Sequence, residues 1–362
     1  MESKSMLGST SLLVPSVKEI VKEQIVAIPP RYVCRDHDNS PVAKTNSLPQ
    51  MPVIDLGKLF SQEFEDLELE KLDQACKEWG FFQLVNHGVS TELLEKVKLE
   101  TQEFFNLPME EKTKFWQKPG EVEGFGQHFV GSEEQKLEWA DLFYIITLPT
   151  HRRKPHLFSN FPPAFRDALE AYSEELQKIA KKLFNLVAKA VGMKPDEMRD
   201  LTEEGWQAMR MNYYPPCPEP DLVIGLRPHS DATGLTIVLQ LNEVEGLQIH
   251  KDGMWIPVKP IPNAFIINIG DMLEIVTNGI YRSIEHRATI SSTKERLSIA
   301  TFHNPKFDGE LCAAPSLITP ETPPVFKSIS VADYFKGYLS RELHGKSFID
   351  VLRIPNHQAK SN

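Results

Sequence analysis

Two histidines, an aspartate and an arginine are the residues whose types and spacing could do chemistry. In His229-Ser230-Asp231 an imidazole and a carboxylate stand two positions apart, and on a strand such residues project to one face. His286 lies downstream in the strand-like stretch Tyr281-Arg282-Ser283-Ile284-Glu285-His286-Arg287. Two imidazoles and one carboxylate can occupy one face of an octahedral Fe(II) and leave three adjacent positions open for reactants. Taken alone, an H-x-D pair also fits a solvated strand end or a turn, and these three residues leave that choice open. Arg296-Leu297-Ser298 follows, again with two polar side chains on one face. A guanidinium grips a carboxylate as a two-pronged fork and a hydroxyl adds a further donor, although a single arginine reads equally as half of a surface ion pair. Upstream, Asn212 and Tyr214 in Met211-Asn212-Tyr213-Tyr214-Pro215-Pro216-Cys217-Pro218 offer polar groups on an adjacent strand.

The elements that must position these groups follow from periodicity. From about 207 to 304 short strands alternate with turns, with candidates at 208–214, 223–227, 234–241, 246–250, 254–258, 264–268, 280–288 and 296–303. Asp252-Gly253, Gly270-Asp271 and Asn278-Gly279 mark tight turns between them. So many short strands in so little chain suggest a sandwich or jelly-roll barrel. Between 65 and 205 the period is mainly helical. Leu72, Ala75, Cys76 and Trp79 make one stripe closed by Gly80, and Phe81 to Asn86 reads as a buried strand. Leu93 to Phe105 forms a second helix, and a third runs from about 163 to 191 and is closed by Gly192. Pro52-Val53-Ile54-Asp55 reads as a short strand that opens the body. Ser16-Val17-Lys18-Glu19 reads as a capping box before a short helix ended by Pro29-Pro30, and a last helix is expected near 331–342. The expected organisation is an extension with one helix over 1–50, a mainly helical region over 51–205, a barrel core over 206–310, and a helix and tail over 311–362.

Together the motifs Arg210-Met-Asn-Tyr-Tyr-Pro-Pro-Cys-Pro, His229-Ser-Asp231, His286-Arg287, Arg296-Leu-Ser298-Ile-Ala-Thr-Phe302 and Ala75-Cys-Lys-Glu-Trp-Gly-Phe-Phe-Gln-Leu-Val-Asn-His-Gly88 resemble the plant 2-oxoglutarate/Fe(II)-dependent dioxygenases. The resemblance runs from about residue 14 to 354 and is nearest to the senescence-related-type members, among them codeine and thebaine O-demethylases. It implies a mixed α/β fold with a double-stranded β-helix (jelly-roll) core and flanking helices. It also implies iron on His229, Asp231 and His286, with Arg296 and Ser298 on the distal carboxylate of 2-oxoglutarate and Asn212 and Tyr214 near its other end. The implied reaction consumes O2, converts 2-oxoglutarate to succinate and CO2, and hydroxylates a C–H bond. On an O-methyl group the hydroxylated carbon would leave as formaldehyde. Ascorbate is the expected reductant. In the same family Leu142, Tyr144 and Phe302 fall where flavonoid-acting enzymes line their substrate pocket, although some of those enzymes keep a tyrosine at the Leu142 position.

On the substrate side, Arg210, Phe125, His128 and Phe129 join Leu142, Tyr144 and Phe302 as candidate contacts, with Gly124-Phe125-Gly126 read as a flexible lid. As a group they suggest an apolar, ring-shaped substrate such as an alkaloid or flavonoid; each aromatic by itself also fits core packing. His87 reads as a structural histidine beside a turn, and Cys217 as part of a rigid connection between Pro216 and Pro218. Ring-forming, desaturating or norcoclaurine-synthase-like condensing activity on the same scaffold is one alternative, and a metal-bearing protein that only binds is another.

Composition agrees with a globular enzyme. The 362 residues carry 50 acidic against 40 basic side chains, a formal charge of -10 that would repel a phosphate backbone and disfavours nucleic acid as a partner. Cys34, Cys76, Cys217 and Cys312 form no C-x-x-C pair and read as separate reduced thiols. No stretch approaches the apolar length needed to cross a bilayer, and the run Leu12-Leu13-Val14 is too short for a secretory signal. A cytoplasmic monomer with no membrane partner is expected.

Overall fold

The structure is a computed structural model that describes residues 12–355 apart from 24, 26, 35–39, 44–49, 119–120, 128–129 and 340–345. The strands of its two main sheets are β1 (Val53–Asp55), β2 (Phe81–Val85), β3 (Gly124–Gly126), β4 (Asp141–Leu148), β5 (Trp206–Tyr214) and β6 (Leu226–His229). They continue with β7 (Leu235–Gln240), β8 (Leu247–Lys251), β9 (Met254–Pro257), β10 (Phe265–Ile269), β11 (His286–Ala288) and β12 (Arg296–Asn304). Eight of them form one sheet in the order β1-β2-β10-β7-β12-β5-β4-β3, and β6-β11-β8-β9 form a smaller one. The two sheets make the jelly-roll core of a mixed α/β fold.

Alternation along the strands decides what each face does. On β12, Arg296, Ser298, Ala300 and Phe302 line a cavity, while Leu297 and Ile299 lie in the hydrophobic core. The long helix Pro163–Val191 packs on that core side, against β12, β4 and β7. It buries Leu169, Tyr172, Leu176, Ile179, Leu183 and Val187, starts on a proline and ends at Gly192 with φ 81°. Fully burying one such aliphatic side chain is worth about 1.5–3 kcal/mol, so this stripe anchors the helix more firmly than its intrinsic propensity could. One continuous core runs from Ile54 to Leu352, so the helical N-terminal region and the barrel share it.

Several expectations need correction. The first helix, Val17–Lys22, has no capping box. Ser16 Oγ instead donates to Asp141 Oδ2 at 2.6 Å, and Asp141 accepts from the Val17 and Lys18 N–H groups at 2.7 and 3.2 Å. The β3 and β4 strands lie inside the region read as helical. Their apolar run is buried on both faces of β4, which erases the two-residue alternation. Gly124-Phe125-Gly126 is an edge strand paired with β4 and not a lid. Only His286–Ala288 of the expected 280–288 strand is extended. In the segment before it, Tyr281 N–H donates to Oγ1 of Thr277, which caps the helix Asp271–Val276, Ser283 N–H donates to Glu274 Oε2 of that helix, and Arg282 N–H donates to the Cys76 carbonyl. That helix is buried all round, so it shows no amphipathic period, and Gly270 begins it where a tight turn was expected. Residues 37–51 read in the sequence as a polar linker with Pro41 and Pro49, and most of them fall outside the described residues.

The stripe ending at Trp79 is a helix over Glu65–Gln74 that widens into a π-turn over Ala75–Trp79. Gly80 closes it at φ 59°, and a Cβ there would come within 2.1 Å of the Arg282 carbonyl. Glycine therefore admits the segment that leads into His286.

Candidate active site

The site is built between the two sheets. β6 and β11 are antiparallel and their register sets His229 opposite His286, with ring centroids 4.3 Å apart. His229 Nδ1 donates to the Arg227 carbonyl at 2.8 Å and His286 Nδ1 to the Ile284 carbonyl at 3.1 Å. Those bonds fix each ring so that Nε2 is the bare, metal-competent nitrogen. Phe81 on β2 backs the His286 ring edge-on at 5.3 Å. Asp231 lies just beyond β6, its Oδ1 3.4 Å from His229 Nε2 and 3.6 Å from His286 Nε2. All three donor atoms lie within 4.8 Å of one another, and all three side chains are buried.

The larger sheet orients the carboxylate. Thr236 and Asn268 face each other across β7 and β10 and both donate to Asp231 Oδ2, at 2.6 and 2.8 Å. Burial alone would raise the Asp231 pKa, but His286, His229 and the Thr236 hydroxyl hold it well below the ordinary carboxylate range. Burial and the neighbouring His229 push His286 down to about 4, which keeps its imidazole neutral. One carboxylate oxygen and two imidazole nitrogens converging on a point are a donor set that fits Fe(II).

A cavity opens beside the triad. Its wall includes the paired strands β5 and β12, whose register sets Arg296 opposite Tyr214 and Ser298 opposite Asn212. Asn212 Nδ2 donates to Ser298 Oγ at 3.4 Å, Arg296 Nη2 donates to Gln240 Oε1 at 3.2 Å, and the Arg296 guanidinium lies 5.3 Å from the Tyr214 ring centre. Arg296 is 3% exposed, and burial lowers its pKa. It pairs with no carboxylate among the described residues, and its Nε and Asn212 Oδ1 have no hydrogen-bond partner. A buried guanidinium without an anion is costly, and a dicarboxylate ligand would complete it.

Arg210, Tyr144 and Phe302 also line the cavity, with Tyr144 opposite Arg210 in the β4–β5 register and the Tyr144 and Phe302 rings 6.3 Å apart. Two candidate contacts are not brought to the cavity. Phe125 is opposite Phe143 and packs near Phe104 and Phe105, with Lys112 over its ring, on the helical side of the sheet. Leu142 shares the Tyr144 face of β4 but is buried and is not among the residues lining the cavity. His128 and Phe129 lie outside the described residues. Sequence reasoning missed Thr236, Asn268 and the part that the expected helix near the C-terminus, Val331–Leu339, plays in bringing Phe335, Tyr338 and Leu339 to the cavity. A lone amide in the apolar run Phe265-Ile-Ile-Asn268-Ile was the available signal for Asn268. That C-terminal helix is tied to the metal loop: Tyr334 Oη and Ser230 Oγ both donate to Asp271 Oδ2 at 3.1 Å, and Asp271 N donates to the Asp231 carbonyl at 2.7 Å.

A jelly roll with two imidazoles, one carboxylate and a buried cation beside an aromatic-walled cavity defines a 2-oxoglutarate/Fe(II) oxygenase, and comparison with known proteins agrees. Residues 205–305 match the 2OG-Fe(II) oxygenase superfamily, and residues 51–164 match the N-terminal region of the non-haem dioxygenase in morphine synthesis. The chain belongs to the 2OG-Fe(II) oxygenase superfamily and is a 2-oxoglutarate-dependent dioxygenase, an enzyme of a family that uses Fe(II) and 2-oxoglutarate. It is 55% identical to oxoglutarate-dependent flavonoid 7-O-demethylase 1 of Ocimum basilicum, over 98% of this chain and 94% of that protein. It is 52% identical to thebaine 6-O-demethylase of Papaver somniferum, over 98% of this chain and all of that protein. Among solved structures, that of JOX2 in complex with 2OG, Fe and JA superposes with a TM-score of 0.85 at 34% identity, covering 94% of this chain and 98% of the other. Among the described residues no helix is long and apolar enough to cross a membrane.

Proposed function

We propose that the chain hydroxylates or O-demethylates an aromatic plant specialised metabolite. His229, Asp231 and His286 hold the Fe(II), Arg296 and Ser298 hold the distal carboxylate of 2-oxoglutarate, and Asn212 and Tyr214 lie near its other end. Tyr144, Arg210 and Phe302 contact the substrate. The observation that carries this reading is the convergence of the three metal donors beside a buried, anion-free Arg296 on the wall of one aromatic cavity. The demethylases named above support the choice of an aromatic methoxyl or hydroxyl compound. When bound, the iron with its keto acid supplies an oxidising step that consumes O2 and releases succinate and CO2. The chain's own contribution is positional. Backbone carbonyls hold both imidazoles in one tautomer, Thr236 and Asn268 hold the carboxylate, and Phe335 and Tyr338 help to shield the reacting carbon from water. Ascorbate serves as reductant, and the protein works as a cytoplasmic monomer with no nucleic-acid or membrane partner.

The test is incubation with Fe(II), ascorbate, 2-oxoglutarate and a set of methoxylated aromatic metabolites. Succinate should form together with a product that has lost a methylene unit or gained an oxygen. His229→Ala and Asp231→Ala should abolish metal-dependent succinate. Arg296→Ala should weaken 2-oxoglutarate binding by about 2–5 kcal/mol. Full turnover in either triad variant, or an unchanged cosubstrate titration in Arg296→Ala, overturns the corresponding assignment.

A further inference from the structure

Arg210 and Glu138 form an incomplete ion pair beside the metal centre. Arg210 is 8% exposed, faces the cavity opposite Tyr144, and has an Nε with no hydrogen-bond partner. Its nearest anion is Glu138, whose Oε2 lies 3.7 Å from Arg210 Nη2, beyond the 2.7–2.9 Å of a well-made charged hydrogen bond. Glu138 cannot easily withdraw. Its other oxygen accepts from the Arg227 N–H at 2.9 Å, and its own carbonyl accepts from Gln127 Nε2 at 3.0 Å. The other cation on the wall outside the metal and keto-acid site is Arg287, which is held away from the pair. The Arg287 guanidinium stacks on Trp255 at 4.1 Å and donates through Nε to Gln248. With a divalent metal and a doubly charged keto acid bound, Asp231 and Arg296 bring that part of the site to neutrality. Beside Arg287, what remains for a substrate is Arg210, a cation offset by a fixed anion, whose guanidinium is not drawn into a close hydrogen bond by Glu138.

Deepening the function proposed above, and resting on it, we infer that Glu138 is a specificity-determining residue that, by neutralising Arg210, makes the cavity select an electrically neutral aromatic substrate with an acceptor oxygen. A carbonyl, hydroxyl or methoxyl oxygen accepts from Arg210 without disturbing the pair. A substrate carboxylate finds the Arg210 charge already offset by Glu138 behind it, and a protonated amine meets the Arg210 charge on the wall. Each lies in a site where little water screens it.

The experiment measures equilibrium binding, by quenching of tryptophan fluorescence, to protein loaded with Fe(II) and 2-oxoglutarate under nitrogen. The probes are a neutral methoxylated flavone and ring-matched analogues carrying a carboxylate or an aminomethyl group. The neutral probe should bind at least ten-fold tighter than either charged one. Glu138→Gln, which keeps an acceptor for Arg227, should shift preference toward the carboxylate by ten-fold or more. Arg210→Gln should shift it toward the amine by a similar factor. Equal or tighter binding of a charged probe to the unaltered chain overturns the inference. So does either variant if it still titrates with 2-oxoglutarate yet leaves the ranking unchanged. A chain that takes up neither Fe(II) nor 2-oxoglutarate overturns the site assignment beneath the inference, and the inference with it.

Discussion

At the scale of single residues, the two oxygens of Asp231 are used differently: Oδ2 accepts from Thr236 and Asn268, and Oδ1 faces the imidazoles. Replacing Asn268 with leucine removes one of the donors that keep Oδ1 aimed. Titration with Mn(II) should show affinity down by about 10–100-fold, and an unchanged affinity would show that Thr236 suffices alone. Glu123 offers a second residue-scale prediction. Burial pushes its carboxyl from an ordinary 4.5 to about 7, while it accepts the Ile146 N–H at 2.8 Å. A raised folded-state value means its contribution to stability is fully present below the unfolded value and is lost as pH rises through the folded one. Glu123→Gln should therefore gain stability relative to the parent as pH rises from about 4.5 to 7, by roughly 3 kcal/mol at most. Denaturant midpoints at both ends of that window check it, and a pH-independent difference contradicts it. The polar residues legible in the sequence were those with a spacing, such as His229 with Asp231 and Arg296 with Ser298. Thr236 and Asn268 come from different strands and are neighbours only through sheet register, which no local spacing encodes.

At the scale of elements, His286 reaches the site because the segment before it passes over the end of the Ala75–Trp79 turn, where Gly80 leaves room. Gly80→Ala would place a Cβ both in the left-handed region and against the Arg282 carbonyl. The expected cost is about 1–3 kcal/mol from backbone strain alone, together with weaker metal binding as His286 is displaced. Thermal melts with and without Mn(II) would read both effects, and a variant with parental melting and metal affinity would contradict this account. The same region shows where sequence reading ran out. The helices bounded by Gly80 and Gly192 were legible because a stripe repeated every three to four residues. The β4 strand and the Asp271–Val276 helix were not, since an element buried on every side presents no contrast to count.

At the scale of the whole molecule, a core continuous from Ile54 to Leu352 lets ligand binding stabilise the entire fold. Iron or Mn(II) with 2-oxoglutarate at one hundred times its dissociation constant should add about 2.7 kcal/mol. That appears as a higher melting temperature, which a chelator reverses and which His229→Ala lacks. An equal rise in His229→Ala would place the stabilising site elsewhere. The hydrogen bonds that join Tyr334 through Asp271 to the Asp231 loop also bear on synthesis at the ribosome. The proposed metal donors His229, Asp231 and His286 all precede the segment carrying Phe335 and Tyr338, so a chain ending after β12 would carry the complete donor set without the helix that helps to wall the cavity. The cavity gains that part of its wall only once the helix Val331–Leu339 has been made and released.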